Sequence, residues 1–200
     1  MRVGPFEVTY CTNVHPGESL EELNRVLSNQ VSAVQSRFDV RPFGAGLRLG
    51  NAVVNALRDS SNALTDLREA CLRQDYSVFT VNGFPYGNFD SGHIKEQVYT
   101  PSWRDDERLR YTLALADVVA ALPGPTQRTI STVAGGFRPD TETAEARNDI
   151  ADNLTAAARG LARLADETGV QIRLCLEPEP WTTLETTQDV LAFWDQHLDN

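Results

Sequence analysis

Val170-Gln171-Ile172-Arg173-Leu174-Cys175-Leu176-Glu177-Pro178-Glu179-Pro180-Trp181 reads as a strand that runs into a rigid turn. Val170, Ile172, Leu174 and Leu176 alternate with Gln171, Arg173, Cys175 and Glu177, and this period of two makes one apolar and one polar face. In a parallel barrel the apolar face packs on surrounding helices. Glu177, which shares its face with Arg173 and Cys175, then stands at the carboxyl-end rim of the interior, where barrel enzymes gather ligands and catalytic groups. The prolines end the strand and leave a second acid, Glu179, just beyond it. Glu177 is thus a candidate metal ligand and Glu179 a candidate proton-transfer group, although Glu-Pro pairs also serve as ordinary surface turns.

Upstream of this strand the chain alternates short β-type runs with longer helical patterns, the mark of parallel βαβ units. Strands are predicted near Phe6–Thr12, Ala45–Leu49, Ser77–Val81, Arg128–Thr132 and Val170–Leu176. Ser19 and Glu22 form a capping box ahead of Leu23, Val26, Leu27, Val31 and Val34, which starts the first helix. A single second helix is expected over Ala52–Gln74, a third from Asp105 to Pro123-Gly124, a fourth ending at Gly169, and a last from Thr186 or Thr187. Connections into strands are short, as at Asp75-Tyr76 and Thr168-Gly169. Connections out of them are long, and the one from Asn82 to Arg104 carries five aromatics, Phe84, Tyr86, Phe89, Tyr99 and Trp103, with no regular period.

This asymmetry predicts an α/β fold of the (β/α)8 TIM-barrel type, with the functional face at the carboxyl ends of the strands. About five βα units are present, whereas a closed barrel has eight and about 250 residues. The reading is therefore one domain over residues 1–200 that forms an incomplete barrel, truncated on its C-terminal side. Its strands should be parallel and adjacent in chain order, bringing His15, Arg48, Asn82 and Glu177 together.

The formal charge of −10 and the lack of a basic block argue against nucleic-acid partners. No run of about 18 apolar residues and no leading signal peptide is seen, so a non-membrane-spanning, cytoplasmic protein is expected. Three scattered cysteines, Cys11, Cys71 and Cys175, match neither a metal pattern nor a disulfide framework and read as small core or pocket residues. GxSxG, Walker A and Rossmann glycine motifs are absent, which removes the usual support for serine hydrolase, P-loop ATPase and dinucleotide dehydrogenase functions.

Candidate site residues lie on the loops that leave the strands. His15, in Asn13-Val14-His15-Pro16-Gly17-Glu18, suits acid/base or metal chemistry, because imidazole titrates near physiological pH, and Asn13 beside it suits substrate binding. Arg48 alternates with Leu47 and Leu49 and should point inward, either to hold a substrate carboxylate or phosphate or to pair with an acid such as Glu177. Asn82 can donate and accept hydrogen bonds, and Phe84, Tyr86 and Trp103 can stack on a flat ligand, order the long loop over the barrel mouth, or anchor it. Lys95 is the only lysine in the chain and can lose its proton, which arginine effectively cannot, so it joins the catalytic candidates. Ser131-Thr132 with Gly135-Gly136 offers a weaker candidate, an anion cradle.

Taken in order, the segments Thr9–Glu18, Gly46–Leu49, Val81–Gly87, Lys95–Tyr99, Ile130–Thr132 and Leu176–Pro180 resemble the EboE family of metabolite traffic proteins across essentially the whole chain. The NGFPYG and LEPEP segments are the most specific part of that likeness. The resemblance implies a xylose isomerase-like TIM barrel, encoded with partner proteins in a bacterial cluster that moves secondary-metabolite precursors toward the periplasm. It also implies a small-molecule substrate or precursor and a divalent metal, with Glu177 at the position of a first glutamate ligand and the remaining ligands on later strands. His15 and Glu179 fall on the family's motifs; Asp90 and Ser102 depart from them. Two further functions remain open, a divalent-metal sugar or sugar-phosphate isomerase/epimerase and a catalytically inactive scaffold for cluster partners.

Overall fold

The computed structural model describes residues 1–38, 40–86 and 98–198. At the start of the chain, Gly4 takes φ +60° and turns the chain between β1 (Arg2–Val3) and β2 (Phe6–Glu7), which pair antiparallel. The sequence pattern suggests one strand from Phe6 to Thr12, but only β3 (Tyr10–Cys11) joins the main sheet. Pro5 follows Gly4 into that tight turn, and the residues after it fold back on the chain start instead of extending.

Beyond β3 come α1 (Leu20–Arg25), a π-helical stretch (Val26–Val31) and α2 (Ser32–Gln35). The main sheet is then built by β4 (Phe43–Arg48), β5 (Tyr76–Ser77), β6 (Thr80–Asn82), β7 (Gln127–Val133) and β8 (Gln171–Glu177). Its order is β3-β4-β6-β7-β8 with β5 also on β4, and every pair is parallel. Strands adjacent in chain order, each returned by a helix, are the repeating unit of a (β/α)8 barrel, present here as an open arc.

The helical layer comprises α3 (Asn51–Asp59), α4 (Ser61–Arg73), α5 (Asp106–Ala121), α6 (Ala144–Thr168) and α7 (Thr187–His197). The single helix expected over Ala52–Gln74 is broken at Ser60, whose backbone is extended and whose Oγ accepts from the Ala63 N–H at 3.3 Å. Asp59-Ser60-Ser61-Asn62 is a run of residues that favour caps over helix interiors, so the apolar periodicity on either side does not bridge it. The Ser19 cap forms as read, accepting from Glu22 N–H at 3.2 Å, but the Glu22 carboxylate reaches back to the N–H of Glu18. A reciprocal capping box does close α7, between Thr186 and Asp189. Gly169, at φ +72°, ends α6 where the sequence places the stop.

Two packed clusters fill the space between sheet and helices. The larger includes Leu23, Val31, Phe43, Leu47, Val54, Leu57, Val81, Leu115, Val119 and Ile130. A second, toward the carboxyl ends of the strands, includes Phe84, Tyr99, Trp103, Val133, Ile150, Leu184 and Phe193. Leu174 and Leu176 pack against this second cluster, so the apolar face of β8 turns toward the helices as its alternation requires. Cys71 is buried in the core as expected, whereas Cys11 and Cys175 are exposed and line no described cavity, which corrects their reading as small core or pocket residues. Among the described residues no helix is long and apolar enough to cross a membrane.

Candidate functional site

Sheet register lays a polar row across the inner face: Arg48 pairs with Asn82, Asn82 with Ser131, and Ser131 with Cys175. Glu177 stands one step farther along, opposite Val133. Barrel interiors are ordinarily filled by branched apolar side chains, so a polar row at the strand ends points to a site, which Arg48 and Asn82 of the row border together with Glu177. Above it opens a cavity of about 1150 Å³. Its polar lining is Asn13, Arg48, Asn82, Glu177 and Glu179; Phe84, Tyr99, Phe137 and Trp181 supply its aromatic walls.

Arg48 is 6% exposed and points inward, as its alternation predicts. Its partner is Glu18, at 2.7 Å from Nη1, and not Glu177. The Arg48 backbone N–H also donates to Thr12 Oγ1 at 2.9 Å, so both ends of the loop after β3 are tied to β4. These bonds seat Asn13, in the 3-10 turn Thr12–Val14, on the cavity wall. Asn82 Oδ1 accepts from the Phe84 N–H at 2.9 Å and from Ser131 Oγ at 3.4 Å, which turns the chain sharply at the end of β6 and sets Phe84 and Pro85 on the wall. Space at Gly83 is tight: a Cβ would sit 2.7 Å from Leu115 Cδ2 and 3.1 Å from the Ser131 carbonyl, so a side chain there would force the packing to shift.

The two acids of the LEPEP turn both line the cavity. The Glu177 carboxylate makes no hydrogen bond or ion pair with a described residue. Glu179 receives the Tyr99 hydroxyl at 3.3 Å, and the same hydroxyl reaches the Pro180 carbonyl at 3.1 Å. Burial, and then the neighbouring Glu179 charge, hold the Tyr99 phenol above its ordinary pKa, so it remains a donor. Tyr99 stacks on Phe137 with centroids 6.0 Å apart and planes 5° apart, and meets Phe84 edge-on at 6.0 Å.

Other sequence candidates lie elsewhere. His15 follows β3 at the same end of the sheet, but its Nε2 is 2.7 Å from the Tyr10 hydroxyl and the residue is not on the cavity wall. Trp103 is 0% exposed, inside the second cluster, with Nε1 donating to Thr132 Oγ1 at 3.2 Å; this corrects its reading as a ligand-stacking ring. Tyr86 likewise anchors its loop, edge-on to Tyr111 at 5.2 Å and bonded through its hydroxyl to Glu107. The Gly135-Gly136 segment is filled by packing, not open to an anion, since added Cβ atoms would lie 2.6 Å from Thr183 and 2.7 Å from Ser102. Lys95 and Asp90 lie outside the described residues, as does the middle of the aromatic loop. Among the described residues no three histidine, cysteine, aspartate or glutamate side chains stand together, so they do not by themselves make a divalent-metal centre.

Sequence reasoning missed Phe137 and Trp181 as wall residues. Both follow strand ends, Phe137 after β7 and Trp181 after β8, and that position was their one available signal.

No family model matches the sequence, and no curated protein matches it. Among solved structures the chain is similar in fold to the crystal structure of the probable 3-DHS dehydratase AsbF, involved in petrobactin synthesis, from Bacillus anthracis. That likeness has a TM-score of 0.51 and 14% identity over 95% of this chain and 58% of the dehydratase. A structure of the IolI protein with a binding zinc atom aligns with a TM-score of 0.49 and 18% identity over 94% of this chain and 58% of that one. A xylose isomerase domain protein from Planctomyces limnophilus aligns at 0.41 and 14% identity, over 78% and 59%. The dehydratase likeness and the strand order agree on the fold, an incomplete barrel of (β/α)8 type. This chain spans 58% of the dehydratase's length.

Proposed function

We propose that this chain carries the ligand-binding face of a xylose isomerase-like barrel that isomerises or epimerises a small hydroxylated metabolite in the cytoplasm. The supporting observation is the cavity at the strand ends, where the amides of Asn13 and Asn82 share a wall with the carboxylates of Glu177 and Glu179. Amides both donate to and accept from hydroxyl groups, which suits a polyol. A carboxylate next to a carbon that carries a hydroxyl beside a carbonyl can take that carbon's proton as a general base. Glu179 is assigned this step, with the Tyr99 hydroxyl fixing one of its oxygens. A divalent ion belongs to this reading only with ligands from outside the described residues, and Glu177 is the carboxylate free to join them.

Turnover of an aldose and ketose panel in deuterium oxide, with magnesium or manganese added, tests the reading. Deuterium should enter at the carbon beside the carbonyl, and Glu179→Gln should abolish this while circular dichroism stays unchanged. Sugars that bind with neither aldose–ketose turnover nor exchange of carbon-bound hydrogen would reject the enzyme, and turnover without exchange would reject the Glu179 proton transfer.

The NGFPYG and LEPEP segments support a second reading, an EboE-like metabolite-traffic component. In that case the cavity holds a secondary-metabolite precursor bound for the periplasm, other Ebo-cluster proteins are its partners, and tight binding without turnover is the expected result.

A further inference from the structure

We propose that the cavity selects a positively charged, hydroxylated ligand of the amino-sugar or aminopolyol kind over a phosphorylated one; the inference rests on the small-molecule reading above. Charge balance is the first argument. Arg48 is the one cationic side chain among the described wall residues, and Glu18 at 2.7 Å already neutralises it. Glu177 and Glu179 line the same space with no cation beside either one among the described residues. A phosphate entering the cavity would meet two like charges in surroundings less screened than bulk water, and would have to displace Glu18 to reach the guanidinium. An ammonium meets two opposite charges and displaces nothing.

The aromatic walls carry an independent argument of the same sign. Ring faces hold negative potential and attract cations, while also suiting the apolar face of a sugar ring. Phe84, Tyr99 and Phe137 are locked against one another by an edge-on and a stacked contact, so their geometry is set before a ligand arrives. Trp181 is 62% exposed, yet its backbone is pinned on both sides: its carbonyl accepts from Arg138 N–H at 2.7 Å and its N–H donates to Glu185 at 3.3 Å. A large ring held at the rim of an acidic cavity is placed to cover an ammonium group bound inside.

Calorimetric titration of the full chain, stripped of metal with EDTA, against glucosamine, glucose and glucose 6-phosphate tests this. Glucosamine should bind about tenfold or more tightly than glucose, with glucose 6-phosphate weakest, and the spread should narrow in about 0.5 M salt. Glu177→Gln combined with Glu179→Gln should remove the preference, bringing glucosamine affinity to within about threefold of glucose affinity, while the circular dichroism spectrum stays that of the parent chain. Equal affinities, or tightest binding of glucose 6-phosphate, would overturn the charge selection and leave the small-molecule site standing. A glucosamine preference that survives the double substitution would overturn the assignment to these acids. Failure of all three sugars to bind would overturn both the selection and the reading on which it rests.

Discussion

Arg108 is 0% exposed and has no ion-pair partner among the described residues. Its Nε donates to the Pro101 carbonyl at 2.8 Å, and Nη1 donates to the carbonyls of Gly83 and Phe84 at 3.1 and 3.0 Å. Among the described residues Nη2 is buried without a partner, and the rings of Tyr86 and Tyr111 flank the guanidinium at 5.8 Å each. Burial lowers its pKa to about 10, which still leaves it charged at neutral pH. This one side chain therefore clamps the segment that sets Phe84 on the cavity wall. Arg108→Met keeps most of the stem but orphans three carbonyls, and we predict a loss of about 2–3 kcal/mol in urea unfolding. A loss below about 0.5 kcal/mol would mean that the carbonyls find other partners. The sequence shows only one arginine among several on an acidic helix start, since nothing local marks the side chain that turns inward. Arg48 was legible because it alternates with Leu47 and Leu49; its partner Glu18 was not, because only the folded loop after β3 brings them together.

Helix α7 is fastened at its start by Arg138, which bonds Asp189 at 2.9 Å and Glu185 at 3.4 Å. The Arg138 hydrogen bond, helped by those from Thr186, holds the Asp189 carboxyl well below the usual carboxylate range. A depressed folded pKa gives stability that is complete above the unfolded value of about 4 and is lost as pH falls through the folded one. Asp189→Asn should therefore cost about 1 kcal/mol at neutral pH, and the gap to the parent protein should shrink as pH drops below about 4. Urea unfolding at pH 7 and pH 3 measures it; a constant gap would show that charge is not the cause. The alternation of short strands with periodic helices made the helix layer and the positions of the sheet strands readable beforehand, and the Thr186 start of α7 with them, although the one strand expected over Ser77–Val81 is two, β5 and β6. What escaped was set by competition between local signals. The hairpin of β1 and β2 took residues from a strand that alternation alone would extend, and consecutive cap formers at residues 59–62 split α3 from α4.

Across the whole molecule, pairing is uneven. β7 and β8 match over seven residue pairs from Gln127↔Gln171 to Val133↔Glu177, whereas β3 holds β4 through only Tyr10↔Ala45 and Cys11↔Gly46. β6 and β7 have strand neighbours on both sides, while β3 and β8 are the outer strands of the arc. Opening an outer strand breaks one ladder; opening a central one breaks two and exposes Val81 and Ile130, both about fully buried. Exchange protection should therefore be greatest in β6 and β7, intermediate in β8 and least in β3. Arg48 opposes that fraying, since its bonds to Thr12 and Glu18 tie the loop beyond β3 to the better-protected β4. Native-state hydrogen exchange read residue by residue should show this order, and Arg48→Met should lower protection in β3 far more than in β7. The substitution keeps the backbone N–H bond to Thr12 and removes the side-chain bond to Glu18, so it should loosen the Glu18 end of the loop that carries Asn13 while the rest of the sheet stays closed. Uniform protection from β3 to β8, with all strands losing it together in the variant, would instead mean that the arc opens as one cooperative unit, with the site rigid until the whole fold gives way.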